Sequence, residues 1–439
     1  MNKTQNWKKN AVFFLGGQTL SLFGSSLVQY AMMWRLTLDT QSGFVMTGYI
    51  IAGFLPAFVL SPFAGVWADR YDRKKIIAIA DAFIAVVSII TAVLLSFNFS
   101  EVFLFFTAAA LRSLGNAVHQ PAVGAFLPRI VPKEQLTRVN GINGTLQSAL
   151  MLVSPIAAGS LLAVLPMNYI FLIDALTALL AISVLIFCVH EQKKEDTSVQ
   201  EDDTQPDTAS SAPPASGGFL SDFKGGLSYI KNHRYLLSFF AYNAVLLILV
   251  SPAAFLTPLQ TARSYGSEVW RLTSIEIVFS VGMMIGGGVI AAWGGFKNRM
   301  KTILSANTVM AFCTFALGLS PFLSRILDLD NSVLFGITNL LPFIIYLFFM
   351  GIFGIALPLM NTPATVMLQE HIEDAYLGRV FSIYGMLAQS LMPLSMLIFG
   401  PLADAVSIEL ILVITGAVML TAAVITPLNK RLMEAGEPV

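Results

Sequence analysis

The chain of 439 residues is 56% hydrophobic and only 12% charged, its acidic and basic side chains are equal in number, and its mean hydropathy is +0.73. A soluble globular chain of this length would need far more polar surface, so that class is excluded. The apolar residues gather into stretches of about 20, the length that crosses a hydrocarbon core, which makes this an all-α polytopic membrane protein.

Twelve spans are predicted, over residues 12–34, 46–68, 76–97, 102–125, 139–163, 169–189, 234–259, 271–294, 302–323, 336–365, 379–402 and 408–427. The basic start MNKTQNWKKN enters the first span without a small-residue cleavage site, so no removed leader is expected. Between spans six and seven, residues 190–218 turn acidic and rich in Pro and Ser. Such a stretch cannot offset its ordering entropy and reads as a disordered linker. After it, Leu220, Phe223, Leu227 and Ile230 recur at helical spacing, which predicts a short amphipathic helix on the membrane surface. The organisation is then a six-helix bundle over 1–189, a linker with its interfacial helix over 190–233, and a second six-helix bundle over 234–439.

With both termini inside, the inner loops and tails carry 21 of the 26 Lys and Arg, which by the positive-inside rule puts both ends in the cytoplasm of a cell-membrane protein. Cys188 and Cys313 lie deep in apolar stretches and read as packing residues, with no disulfide framework and no metal-ligand spacing. No phosphate-binding G-x-x-x-x-G-K-[ST] loop occurs, and no cofactor is expected.

The two sets of six spans are related. Residues 127–144, LPRIVPKEQLTRVNGING, align without a gap to 368–385, LQEHIEDAYLGRVFSIYG, through Leu127/Leu368, Leu136/Leu377, Arg138/Arg379, Val139/Val380, Ile142/Ile383 and Gly144/Gly385. Just upstream, His119-Gln120-Pro121-Ala122 matches Asn361-Thr362-Pro363-Ala364. Each half is a copy of one six-helix unit, and parallel repeats of this kind mark a transporter whose site lies between the halves near the bilayer midplane.

A few polar residues stand out inside the spans. Arg112 lies near the centre of span four, where an unaccommodated Arg costs about 2.5–3.5 kcal/mol, so it faces protein or water. Asn116 and His119 follow at i+4 and i+7 on the same stripe. Asp174 in span six and Glu276 in span eight lie about five residues inside the outer boundary, one in each half. Intramembrane acids are candidates for carrying protons or pairing with a cationic substrate, with a structural pair or a hydrogen-bonded cap as the alternative. Asp81 in span three reads as structural, and His119 reads more readily as a packing or hydrogen-bonding residue than as a relay. Gln18, Ser21, Ser25 and Gln29 share one face of span one. That stripe, with Asn116, His119 and Asn361, forms the candidate substrate cavity; interhelical hydrogen bonding is the alternative.

The loop after span two reads GVWADRYDRKK, in which six of the seven residues from Asp69 to Lys75 are charged. It resembles the signature of the major facilitator superfamily, G-x-x-x-D-R-x-G-R-[RK]-x, with Asp72 in place of the second Gly as in the third drug:proton antiporter group. Gly17-Gln18, LRSLGNAVHQPA at 111–122, VPKEQLTRVNG at 131–141, FLIDAL at 171–176 and YLGRVFS at 376–382 extend the likeness to the macrolide-efflux branch, over the whole chain except the linker. The resemblance implies the major facilitator fold, two pseudo-symmetric halves working by alternating access. It implies proton coupling through Arg112, and an inner gate in which Asp69 sits against the start of helix eleven while Arg73 pairs with Asp374 or Glu373. The second copy, GVIAAWGGFKNRMK at 288–301, keeps the basic residues but has Ala292 where Asp69 falls, which favours a role for Asp69 beyond anchoring.

The expectation is a proton:drug antiporter, not an enzyme, acting on amphiphilic macrolide-like compounds. Its partners are a small amphiphilic solute, protons and the lipid bilayer, with no nucleic acid, and it is expected to be a monomer. The alternative is an exporter of an endogenous solute such as a siderophore, lipid or metabolite. A membrane enzyme or sensor would need an extramembrane domain or a catalytic cluster, and the sequence shows neither.

Overall fold

Long apolar runs between polar loops leave the backbone one solution inside a bilayer, the helix, which satisfies its own N–H and C=O groups. A computed structural model bears this out for residues 3–97, 99–190, 219–326 and 340–437, which are the residues it describes. Those residues contain helices and no strand, and twelve helices are long and apolar enough to span. The first six are α1 (Lys3–Thr40), α2 (Gly43–Arg70), α3 (Arg73–Ser96), α4 (Glu101–Ile130), α5 (Leu136–Val164) and α6 (Met167–Cys188). A short α7 (Phe219–Asn232) precedes α8 (Arg234–Phe255) and α9 (Thr257–Ser264), which together make the seventh span. The rest are α10 (Val269–Trp293), α11 (Arg299–Ile326), α12 (Leu340–His371), α13 (Asp374–Ala405), α14 (Ile408–Ile425) and the short α15 (Lys430–Glu434). Residues 191–218 of the expected linker and the expected start of span ten before Leu340 lie outside the described residues.

Local chemistry sets the boundaries. Ser42, Asp72 and Ser407 cap α2, α3 and α14 by accepting from Val45, Lys75 and Leu410 N–H. Gly294, at φ +75°, ends α10 in the left-handed region that other residues avoid. The seventh span breaks at Leu256, where the ring of Pro258 suits the first turn of α9.

With an even number of spans, both termini lie at one end of the bundle, here called the termini end. Asn10 Nδ2 donates to His190 O there, and Arg299 N to Gly436 O. The halves meet along two seams, α2 against α13 and α5 against α10. Both are closed toward the far end. A Cβ on Gly43 would stand 2.2 Å from Gly400 O, and one on Gly159 would stand 1.9 Å from Thr273 Oγ1, so small residues are required at both crossings. Thr47 Oγ1 also donates to Met396 O at 3.0 Å. Toward the termini end the same seam helices stand free: a Cβ added at Gly65, Gly141, Gly144, Gly378 or Gly385 meets nothing within 4 Å.

The amphipathic helix predicted after the linker is present as α7, but its buried face meets protein. Tyr229 stacks on Tyr376 with ring centroids 4.5 Å apart, and Gly226 lies against Arg379 and Ile383 of α13. An aromatic pair offers α7 a partner that lipid does not, which ties it to the second half.

Candidate functional site

Four helices of the first half place their polar side chains at one buried point. Arg112 of α4 donates through Nη1 to Asp174 Oδ2 of α6 and to Ser88 Oγ of α3. Ser88 Oγ donates to the same carboxylate oxygen at 2.6 Å, and Ser25 Oγ of α1 reaches Oδ1 at 3.3 Å. Asp174 is 0% exposed and Arg112 4%. Two residues predicted separately, as a midplane cation and an intramembrane acid, are therefore partners. The helices can come this close because of Gly24: a Cβ there would lie 2.0 Å from Thr177 Oγ1. Every group around the Asp174 carboxylate is a donor, which fits an ion pair fixed in place.

A second cluster lies nearer the termini end on the same helices. Ser21 Oγ donates to Asp81 Oδ1 at 2.9 Å, and His119 Nε2 lies 3.3 Å from that oxygen. The approach of His119 falls within ion-pair range without hydrogen-bond alignment: both ring nitrogens, Asp81 Oδ2 and the nearby helix-one Gln18 Oε1 are buried without a hydrogen-bond partner. Asp81, His119, Gln18 and Ser21 are all nearly inaccessible. Gln18, Ser21 and His119, expected to line an open cavity, are thus packed inside the first bundle, because α3 offers Asp81 to the face they share. Ser25 is half-buried on Asp174, whereas Gln29 and Asn361 are exposed well inside their spans and Asn116 is half-buried.

Glu276 lies apart from both clusters. It is half-buried on α10, one turn past the Thr273 that meets Gly159 at the seam, and among the described residues no charged partner reaches it. Tyr30 of α1 is within electrostatic range across the seam.

At the termini end, the side chains of Asp69 and Asp374 lie outside what the structure describes. Arg73 is half-buried in the first turn of α3 and has an interaction partner, and Glu373 stands exposed at the start of α13. The rest of the charged run divides its work. Asp72 caps α3, and Lys74 Nζ donates to the Val189 and Ile186 carbonyls at 2.7 and 3.1 Å, finishing the open end of α6. Lys75 and Asp72 are 3.9 Å apart on the surface, a pair worth little.

Among the described residues, the most developed link between the halves lies at the far end and was missed in the sequence. Asp404, at the end of α13, accepts from Gly43 N at 2.7 Å, Phe44 N at 2.9 Å and Ser42 Oγ at 2.8 Å, filling the open N-terminus of α2. Arg263 of α9 donates to Asp404 Oδ1 at 2.7 Å and to Ala403 O at 2.6 Å. It also donates to Gln41 O, whose residue takes a left-handed φ of 44°. The available signal was Ser42-Gly43 at a helix start with Asp404 at a helix end, 362 residues apart, and spacing along the chain could not join them.

The comparisons with known proteins agree with this architecture. The family model described as Major Facilitator Superfamily matches residues 14–392. The chain is 29% identical to Macrolide efflux protein A of Streptococcus pyogenes over 428 residues, 98% of each chain. It is also 29% identical to Macrolide efflux protein A of Enterococcus faecalis over 346 residues, 79% of this chain and 97% of that protein. Among solved structures, a D-xylose-proton symporter superposes with a TM-score of 0.65 at 12% identity, covering 97% of this chain and 99% of the other, a likeness of fold.

Proposed function

The chain belongs to the Major Facilitator Superfamily, and from that premise we propose that it exports macrolide-like amphiphiles in exchange for protons, by alternating access. The observation that carries the reading is the end-to-end likeness to Macrolide efflux protein A, 29% identity over 98% of both chains. The distribution of Lys and Arg argues for both termini in the cytoplasm of a cell-membrane protein. On that orientation, seams closed at the far end and free at the termini end correspond to an inward-open state. A solute would enter from the cytoplasm between the halves, where Gln29 and Asn361 offer exposed polar groups deep in the spans. The Arg112–Asp174 pair would hold the first half as one body. Glu276, at the seam and without a charged partner among the described residues, is the acid whose protonation the opening of that seam would alter. Asp69, Arg73 and Asp374 would close the termini end in the opposite state.

The test is transport by purified protein in proteoliposomes with an imposed pH gradient and a labelled macrolide. Gradient-driven accumulation is expected, with Glu276→Gln reducing it tenfold or more. Accumulation that survives collapse of the gradient would rule out proton coupling.

A further inference from the structure

We propose that Asp81 and His119 form a proton-binding station inside the first bundle, distinct from the Arg112–Asp174 pair and from Glu276. The two side chains come from adjacent helices, α3 and α4, and are 2% exposed each. Their nearest approach, His119 Nε2 to Asp81 Oδ1, is 3.3 Å.

The hydrogen-bond inventory separates this cluster from its neighbour. The Asp174 carboxylate has a donor on each oxygen, and Arg112 does not give up its proton. Every polar atom of that carboxylate is already partnered. Around Asp81 the situation is reversed: Oδ2, both imidazole nitrogens and Gln18 Oε1 are buried and unpartnered. Buried polar atoms are ordinarily paired with protein or with ordered water, and four unpaired in one cluster mark a place where a proton and its hydrating water bind. The chemistry balances simply. A hydronium ion at the termini end gives its proton to the free imidazole nitrogen and leaves as water, and the pair passes from one net negative charge to none. The proton leaves by the reverse step, with no other bond made or broken. Imidazole is the side chain that ordinarily changes charge near neutral pH, and here it faces a carboxylate oxygen at 3.3 Å.

The position gives the station a route to the central pair. Asp81 precedes Ser88 on α3 by seven residues, and His119 follows Arg112 on α4 by seven. Because α3 and α4 run in opposite directions, both steps lead the same way, about 10 Å toward the termini end. On α1, Ser21 serves the outlying cluster and Ser25, one turn on, serves Asp174. Among the described residues the packed helices bring no further charge into contact with the pair, and Lys74, two turns before Asp81 on α3, is turned to the end of α6. α1 presents Gln18 and Ser21, α6 presents Asp174, α4 presents Arg112 two turns away, and α2 presents Tyr49 toward Arg112.

Proton binding is measured first on the purified full chain in weak buffer, without reference to transport. Wild type is expected to take up about one proton more than His119→Gln between pH 8 and pH 5. Asp81→Asn is expected to lose that same proton although its imidazole remains, and the double variant to lose no more than either. The chain has four His in all, so ring-selective NMR can follow the His119 signal, assigned by its absence from His119→Gln. A signal constant over that range, or uptake equal in wild type and His119→Gln, overturns the station. If Asp81→Asn does not fold, these two measurements still decide.

Its coupling to export rests on the function proposed above and is read separately. In proteoliposomes, His119→Gln should flatten the dependence of macrolide transport on pH while leaving macrolide binding within twofold of wild type. An unchanged pH profile in a protein that does transport overturns the coupling. Absence of macrolide transport in wild type counts against the function alone, since the proton titration stands by itself.

Discussion

Replacing Asp404 with Ala should open the far end of the bundle. Its carboxylate accepts from two backbone amides and a hydroxyl at the start of α2 and from Arg263, and the first three of these bonds join the halves. An anion at a helix N-terminus is worth about 0.3–1 kcal/mol at the surface and up to about 2 when partly buried. Hydrogen bonds to a charged group contribute about 1.5–3 kcal/mol when well shielded. The Asp404 side chain is 31% exposed and that of Arg263 29%, so screening takes back part of this, and about 2 kcal/mol is a fair total. A loss of that size multiplies the open-to-closed ratio at the far end by about 30. The assay is pulsed electron-spin distance measurement between labels on Cys placed at Val164 and Leu410, in a background with Cys188 and Cys313 replaced. Both label sites are exposed, lie near the far end in opposite halves, and touch no part of the clasp. Asp404→Ala should bring a longer distance to comparable abundance, with Arg263→Ala shifting the same way. Identical distance distributions in wild type and both variants would refute the assignment of this clasp.

Breaking the buried pair with Arg112→Ala should cost about 3–5 kcal/mol, because Asp174 is left charged and enclosed. Thermal melting would report it, and Arg112→Ala with Asp174→Ala together should recover part of the loss. Gly24→Ala places a Cβ 2.0 Å from Thr177 Oγ1 and should cost about 1–3 kcal/mol, with Thr177→Ala as a partial rescue measured by the same melt. Lys74→Met removes two bonds to the last carbonyls of α6 and should cost about 1 kcal/mol, seen as faster hydrogen exchange in the last turn of α6.

The spans were legible because hydropathy and length act locally: all twelve appear, with ends shifted by several residues where caps such as Ser42 and Asp72 extend helices past the apolar run. Arg112 and Asp174 were legible as misfits in apolar surroundings, but not as partners, since 62 residues and two different helices separate them. Ser88 gave almost no signal, being one small hydroxyl in an apolar helix. Its importance comes only from lying between Arg112 and Asp174. Asp81 was read as structural and His119 as a cavity candidate or hydrogen-bonding residue, not as partners, because sequence spacing orders residues along one helix and says nothing about which neighbour packs against it. In the charged run at 69–75 the gate role was assigned to Asp69 and Arg73 alone, and the specific work of Asp72 and Lys74, which finish helix ends within their own half, was not legible.

The energies also explain where the molecule can give way. Within the first half, spans one, three, four and six share a fully buried charge network, and breaking it costs several kcal/mol. Among its described residues the second half has no counterpart to it: the position matching Asp174 is Thr415, which bonds back to Ile411 O at 2.8 Å in its own helix. That half coheres instead through a continuous apolar core rich in aromatic residues, including Phe239, Phe343 and Tyr346. Between the halves, the far-end contacts are glycine crossings, single hydroxyl bonds and one clasp about a third exposed to solvent. Two internally strong bodies joined by weaker, small-residue seams will separate at the seams first. The sequence repeat is therefore sufficient to specify two bodies, and the unpaired differences between its copies decide which charge each body carries and where the two are fastened.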